Sequence, residues 1–299
     1  MQERRTTDES TGTTDNTTAS FLTPGVKSIL GAVLLFSLMQ IGVKYLDRIP
    51  AHEIVFFRAL VSLIVGYLLI RKLGLNPWGN NKPLLLARGL AGTAALTMFF
   101  YTLQNMPLAS AVTILHLSPI FTIIIASFMV KEPPRPIQWL FFVVSFAGVI
   151  MIKGFDQRVT PIDLMIGIGA AFFAGLAYNV IRLLKDSDHA LVIVFYFPLV
   201  TVPIIGAYTL FHWVTPNLIE WLILIGIGLV VTAAQILMTR AYQLEKAANV
   251  SNYNYLQIVL ALFFGYVIFG ELIGPLGLAG IALIVFGVIM SSRFRQEEK

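Results

Sequence analysis

Long apolar segments are the feature of this sequence that most limits the folds it can adopt. The chain of 299 residues is 57% hydrophobic and only 12% charged, whereas about a quarter of the residues in a typical soluble domain are charged. The apolar residues are grouped in blocks long enough to cross a bilayer, which takes roughly 20 residues per helix. The sequence therefore predicts an all-α polytopic membrane protein.

Ten spans are predicted, separated by short segments of turn-forming residues. They cover residues 25–46, 52–71, 83–104, 108–130, 136–153, 162–184, 190–211, 217–242, 247–269 and 275–292. Residues 1–24 are polar and are predicted to form a disordered tail, and residues 293–299 form a short C-terminal tail. Of the 21 Lys and Arg residues, fifteen lie on the side shared by the termini and four on the other. The positive-inside rule therefore predicts a multi-pass protein of the inner or plasma membrane with both termini cytoplasmic.

The chain also contains an internal repeat with an offset of 139 residues. TAALTMFFYTLQNMPLASAV (93–112) aligns without a gap with TAAQILMTRAYQLEKAANVS (232–251), and Glu132 pairs with Glu271. Each copy has five spans, so the second copy is predicted to be inserted upside down. The copies are predicted at residues 25–153 and 161–292. Inverted repeats of this kind are typical of secondary transporters, which bind substrate near the midplane between the copies.

These segments resemble the drug/metabolite transporter superfamily, in its EamA-type branch of ten-helix proteins. The resemblance is carried by RGLAGTAALTMFFYTLQNMPLASAVTILHLSPIFTIIIASFMVKE (88–132) and by the weaker copy AYQLEKAANVSNYNYLQIVLALFFGYVIFGE (241–271). It implies a central cavity lined by spans one, three, four, six, eight and nine. Similar proteins move amino acids, nucleotide sugars, vitamins, purines and S-adenosylmethionine, so the resemblance does not identify the substrate. The second copy has Ile258 where the first has Pro119, so the two halves are not expected to bend equally.

A polar stretch, NVSNYNYLQ (249–257), stands directly before the apolar run of the ninth span. At 100° per residue, several of its side chains fall on one helix face, and the offset of 139 residues relates this face to a polar face of the fourth span. Because polar groups are costly in hydrocarbon, we interpret these faces as lining a polar cavity. The predicted cavity residues are Gln40, Thr97, Tyr101, Thr113, His116, Tyr178, Asn179, Gln235, Thr239, Asn249, Asn252, Tyr253 and Gln257. The alternative is that these side chains only pair with neighbouring helices.

Three ionisable residues are predicted inside spans. His116 either takes up a proton or binds a substrate carboxylate, or it is neutral and bonded to a backbone carbonyl. The carbonyl of Leu115, which Pro119 leaves without a donor, is the predicted local acceptor. Arg58 and Arg88 are candidates for anion binding or gating. The alternatives are structural pairing for both and, for Arg88, extension of its long side chain to the membrane surface.

The function predicted is secondary transport of a small polar or zwitterionic metabolite, an amino acid or a related compound, by alternating access, with export favoured. One alternative is uptake or exchange of a nucleotide-like metabolite such as S-adenosylmethionine. Another is an intramembrane lipid-modifying enzyme, which would need a cluster of His, Asp or Ser with a base partner. The sequence shows no such cluster, so no enzyme activity is expected. The partners are the substrate and the bilayer, a homodimer is left open, and no cofactor, metal or nucleic acid is expected. His52 and Glu53 are expected to be solvated at the outer mouth.

Overall fold

The computed structural model describes residues 23–129, 131, 134–184, 186–244 and 253–296, without the side chains of residues 155, 239, 242, 243 and 294–296. Residues 1–22 of the predicted tail (1–24) therefore lie outside the described residues, and residues 23 and 24 belong to the start of α1. The regular structure within the described ranges is α-helical throughout. The helices are α1 (Pro24–Tyr45), α2 (Ala51–Lys72), α3 (Lys82–Asn105), α4 (Leu108–Leu115), α5 (Ser118–Met129), α6 (Pro136–Phe155), α7 (Pro161–Leu184), α8 (Ala190–Phe211), α9 (Leu218–Leu244), α10 (Leu256–Phe269) and α11 (Pro275–Gln296).

The helices account for the predicted spans. Nine stretches of the described chain are long and apolar enough to cross a membrane, with α4 and α5 counted together as Leu108–Met129. α10 is a shorter apolar helix of 14 residues in the ninth predicted span, of which residues 247–252 are not described. The prediction of an all-α polytopic membrane protein is confirmed.

Local sequence explains where the helices begin. Thr23 caps α1 by accepting a hydrogen bond from the Val26 N–H at 3.2 Å, and a proline follows it at the first helical position, where the missing N–H has no intrahelical partner. At α7, the Thr160 hydroxyl accepts from the Asp163 N–H at 3.1 Å, and the Asp163 carboxylate accepts from the Thr160 N–H at 3.3 Å. This reciprocal pair satisfies two of the N–H groups that a helix start leaves free.

Helices distant in the sequence pack side by side: α1 on α9, α2 on α8, α3 on α7, and α6 on α11. Glycines set the closest of these approaches. A Cβ atom built on Gly148 of α6 would lie 2.5 Å from the carbonyl oxygen of Gly280 on α11, and one on Gly280 would lie 2.7 Å from that of Gly148. Small residues of this kind let membrane helices approach backbone to backbone.

The sequence predicted the fourth span as one continuous helix. The structure breaks it at His116 and Leu117, between α4 and α5. The backbone tightens there, because the Leu117 N–H donates to the Ile114 carbonyl at 3.0 Å, three residues back. Pro119 follows directly and has no N–H to donate to Leu115, which explains why the regular ladder stops here. The prolines of α8, Pro198 and Pro203, do not divide that helix.

Asp188 joins two connections at one end of the bundle, which we call the α2–α3 end. Its carboxylate accepts from the N–H groups of Asn80 and Asn81, at 2.5 and 3.1 Å, and from the Ser187 hydroxyl at 2.8 Å. Burial raises the pKa of Asp188, but these hydrogen bonds outweigh burial and hold the pKa below its usual value. The side chain is only 8% exposed, so the connection α2–α3 is fastened to α7–α8 by a largely buried carboxylate.

Replacing Asp188 with alanine is expected to cost about 1–3 kcal/mol at pH 7, because it leaves two backbone N–H groups without an acceptor. The folded pKa is depressed, so the stabilisation is full above the unfolded pKa of about 3.9 and is lost as pH falls through the folded pKa. The difference in melting temperature between the wild type and Asp188→Ala should therefore be constant above about pH 5 and shrink in more acidic buffer. A difference that stays the same in that acidic range would contradict this role.

Candidate functional site

Two turns that interrupt predicted spans meet inside the bundle. The first is the turn at His116 and Leu117, about nine residues into the fourth span. The second is a turn at Asn254 and Tyr255, directly before α10, and the offset of 139 residues relates Tyr255 to His116. The sequence predicted that the second copy would bend differently because it lacks the proline; instead the chain turns at the corresponding position. Asparagine tolerates turn conformations, so a proline is not required there.

His116 connects the two interruptions directly. Its Nδ1 lies 2.8 Å from the Val112 carbonyl oxygen, and its Nε2 lies 3.3 Å from the Asn254 carbonyl oxygen. The imidazole and Tyr255 rings are 5.7 Å apart between centroids. The predicted carbonyl partner was Leu115, and the structure places Val112 there instead. A neutral imidazole has one N–H and an imidazolium has two, so both carbonyls can be satisfied at once only in the protonated form.

A pair of glutamines joins α1 to α10 beside these turns. Gln40 Nε2 donates to Gln257 Oε1 at 3.1 Å, and the buried Gln40 Oε1 has no partner among the described residues. Both residues belong to the predicted cavity set. The sequence placed Gln257 on one face with Tyr253 by assuming a continuous helix, and the turn at 254–255 removes that assumption. Tyr253 packs with the apolar residues of α1 and α9.

Three predicted cavity residues interact with other groups of the protein. The hydroxyls of Thr97 and Thr113 donate to carbonyls of their own helices, those of Thr93 and Ala109, at 2.9 and 2.7 Å. Tyr101 interacts with Asp163 at the start of α7. The hydroxyls of Thr97 and Thr113 are thus bonded within their own helices, whereas the Tyr101 contact joins α3 to α7, as in the helix-pairing alternative.

Asn179 and Gln235 lie on the second half of the bundle. Asn179 is fully buried and donates to the carbonyls of Thr122 and Gly175 at 3.0 Å each, while its Oδ1 has no partner among the described residues. Gln235 is half-buried on α9. Asn249, Asn252 and the side chain of Thr239 lie outside the described residues.

The two arginines in the spans both lie over the ring of Phe197. The guanidinium carbon of Arg58 is 5.4 Å from the centroid of Phe197, and that of Arg88 is 5.7 Å from it. Arg88 was given the alternative of extending to the membrane surface. The structure turns its side chain the other way, because its Nη1 lies 2.2 Å from where a Cβ of Gly92 would be. Tyr178, half of whose surface is exposed, interacts electrostatically with Arg88.

A buried ionic cluster at the opposite end of the bundle, which we call the α1–α2 end, was not predicted. Lys44 Nζ lies 2.8 Å from Glu271 Oε1, and both side chains are about 90% buried. Glu271 Oε2 also accepts from the Leu108 N–H at the start of α4, at 2.7 Å. The pairing of Glu271 with Glu132 in the repeat was the signal that could have drawn attention to this residue. Glu53, expected to be solvated, is fully buried and accepts from the Val214 N–H at 3.1 Å, so that prediction was wrong.

Comparison with known proteins gives consistent results. The model of the EamA-like transporter family matches residues 23–154 and 161–293. The pseudopaline exporter of Pseudomonas aeruginosa is 34% identical over 282 residues, which cover 92% of this chain and 98% of the exporter. Solute carrier family 35 member G1 of Homo sapiens is 31% identical, with 83% of this chain and 73% of the carrier covered. The S-adenosylmethionine uptake transporter of Rickettsia prowazekii is 27% identical, with 87% and 90% covered.

A solved crystal structure supports the fold independently. It is 18% identical in sequence, superimposes with a TM-score of 0.62, and covers 92% of this chain and 99% of its own. At this level of identity the likeness concerns the arrangement of the helices.

Proposed function

Because this chain belongs to the EamA-like transporter family, we propose that it is a secondary carrier that moves a small polar or zwitterionic metabolite across the cell membrane by alternating access. Family and relatives make the protein a multi-pass membrane transporter, and this favours a carrier over an intramembrane lipid-modifying enzyme. The proposed orientation has both termini in the cytoplasm.

The main support for this proposal is the contact between the two turns, at residues 116–117 and 254–255. Irregular backbone inside a membrane is tolerated where it is enclosed by protein or lines a cavity. In secondary transporters, substrate sites form where spans are interrupted at corresponding positions of the two halves. Here His116 contacts the backbone of Asn254 across such a junction, and Gln40 and Gln257 lie beside it. We assign this junction as the substrate site.

The groups at the junction favour a small, hydrogen-bonding substrate. Two glutamine amides and an imidazole supply both donors and acceptors without a fixed charge, which suits an amino acid or a related compound. Export is the direction of the relative named as a pseudopaline exporter, and we propose the same direction here.

The second candidate is uptake or exchange of a nucleotide-like metabolite such as S-adenosylmethionine. It is favoured by the relative named as an S-adenosylmethionine uptake transporter and by the rings of His116 and Tyr255 at the junction. Aromatic side chains of this kind stack on nucleobases.

Counterflow in liposomes tests the proposal. The purified protein is reconstituted, and uptake of labelled L-amino acids, adenosine and S-adenosylmethionine is measured against an internal pool of the same compound. At least one amino acid should exchange faster than in protein-free liposomes. Exchange of S-adenosylmethionine alone would favour the second candidate, and a chemically altered product would favour an enzyme. Exchange of none of these compounds by a folded protein would overturn the proposed substrate class.

Gln257→Leu is expected to lower the exchange rate at least about fivefold while leaving the melting temperature within a few degrees, since one hydrogen bond to the substrate is worth about 1 kcal/mol or more. Asn105→Leu is the matched control: it also replaces an amide, but one that is exposed and bonded only to the Tyr101 carbonyl of its own helix. Full activity of Gln257→Leu would show that the junction is not the substrate site.

A further inference from the structure

Arg58 on α2 is buried and Arg88 on α3 is partly buried, and neither has a counter-ion in the described part of the chain. Arg58 is only 5% exposed. The Nε and Nη1 atoms of both guanidinium groups are buried and have no hydrogen-bond partner among the described residues. No carboxylate of the described chain lies within salt-bridge distance of either group. Because charged residues inside membrane spans are costly and normally paired, two such groups in one place require an explanation.

The surrounding protein holds both guanidinium groups in position but does not neutralise them. Arg58 lies over the rings of Phe197 and Phe100, at 5.4 and 5.8 Å, and Arg88 lies over Phe197 at 5.7 Å. Contact with an aromatic face offsets part of the cost of removing a cation from water, but it leaves the N–H donors free. The two positive charges also repel each other. An anion bound to both would remove these costs together.

Gly92 makes this arrangement possible. A Cβ at position 92 would lie 2.2 Å from Nη1 of Arg88 and 2.8 Å from Cδ2 of Phe197. Any side chain there would push the guanidinium away from Phe197. Since the side chain of a helical residue normally leans toward the start of its helix, the space at Gly92 is what allows Arg88 to turn toward the membrane interior.

Tyr178 of α7 supplies a third polar group, next to Arg88. Half of its surface is exposed, and it lies close enough to Arg88 to interact electrostatically. A phenol hydroxyl can donate to a ligand oxygen. The guanidinium donors of α2 and α3 therefore lie over the ring of Phe197, which comes from α8, and Tyr178 of α7 lies near Arg88.

We propose that Arg58 and Arg88, with Tyr178, form a subsite for an oxyanion of the transported molecule, a carboxylate or a phosphate. The planar guanidinium fork binds either group through two parallel hydrogen bonds. The subsite rests on the proposed transport function and narrows the substrate to molecules that carry such a group. An amino acid carries the carboxylate, whereas S-adenosylmethionine carries both a carboxylate and a nucleoside.

Ligand-induced stabilisation of the purified protein tests the subsite without requiring transport. The probes are L-methionine against L-methioninamide, S-adenosylmethionine, and inorganic phosphate against chloride at equal ionic strength. A carboxylate subsite predicts a higher melting temperature with L-methionine or S-adenosylmethionine than with the amide. A phosphate subsite predicts the response with inorganic phosphate. If no oxyanion stabilises the wild type more than its counterpart, the proposal is overturned.

Substitutions connect the response to the arginines. Arg58→Gln and Arg88→Gln should shift the concentration for half-maximal stabilisation at least about tenfold upward, whereas Arg71→Gln, at the exposed end of the same helix as Arg58, should leave it unchanged. Without ligand, Arg58→Gln should melt at the same or a higher temperature, because an unpaired buried charge has been removed. An unchanged response in both Gln variants would exclude the subsite. A lower melting temperature with a retained response would indicate a structural role.

Two further comparisons distinguish failure of the subsite from failure of the transport function. Arg58→Lys retains the charge but loses the fork, so it should lose most of the response even if Arg58→Gln does not fold; a full response in Arg58→Lys would count against the subsite. Binding that depends on both arginines, without flux in liposomes, would support the subsite and contradict transport. Equal flux of an acid and its amide would support transport and contradict the subsite.

Discussion

A valine at position 148 is expected to force α6 away from α11 and to destabilise the protein by about 3 kcal/mol or more, the upper range for inserting atoms into a packed interior. The added Cβ would lie 2.5 Å from the Gly280 carbonyl oxygen and 3.0 Å from the Ile284 nitrogen. Both are backbone atoms, so no side-chain rotation can relieve the contact. Gly280→Val should have a similar effect, since the approach is reciprocal.

Gly154 provides the matched control for this substitution. It lies on the same helix, and a Cβ built there meets nothing within 4 Å, so Gly154→Val should melt within a few degrees of the wild type. Thermal melting and size-exclusion profiles of the purified variants measure the difference. Near-identical melting of Gly148→Val and Gly154→Val would show that the close approach of α6 and α11 contributes little.

Removing Glu271 is expected to cost about 3–5 kcal/mol, the range for breaking one partner of a buried ion pair. Glu271→Leu leaves the largely buried Lys44 ammonium with only the Met106 and Leu103 carbonyls, at 2.5 and 3.4 Å. It also leaves the Leu108 N–H without an acceptor. The double variant Lys44→Met with Glu271→Leu should recover most of the loss, because it no longer buries an unpaired charge.

Arg158 supplies the comparison with an exposed ion pair. It contacts Asp156 at 2.8 Å, but the arginine side chain is 45% exposed, so Arg158→Gln should cost less than about 1 kcal/mol. If the double variant is no more stable than Glu271→Leu alone, the ion pair is not the source of the loss.

The sequence was sufficient for the fold because hydropathy and turn residues act over whole segments. Predicted spans such as 190–211 coincide with the helices, and α8 remains one helix although it contains two prolines. The site was predicted less completely because side-chain directions were derived from a continuous helix. The turn at Asn254 and Tyr255 invalidates that geometry, and both residues lie against His116 although neither was among the predicted cavity residues.

The surroundings of the charged side chains were the hardest feature to predict, because many of their neighbours come from distant parts of the chain. Arg88 is directed inward by Gly92 and Phe197, and Glu53 is buried by the approach of Val214. Gly92 is one helical turn from Arg88, but Phe197 and Val214 come from distant segments that local periodicity cannot identify. What the sequence did supply was the identity of the ionisable groups inside the spans, and Arg58 and Arg88 remain the centre of the proposed oxyanion subsite.

The interrupted fourth span also determines where the bundle is mechanically compliant. An intact helix can bend only by stretching its ladder of hydrogen bonds, and this makes a long span resemble a stiff rod. At His116 and Leu117 the ladder is already incomplete, so α4 and α5 can change their mutual angle at a small elastic cost. The corresponding turn at Asn254 and Tyr255 lies against it. The two turns therefore lie together in space, and the place where α4 can tilt against α5 is also the place where the two halves of the chain meet.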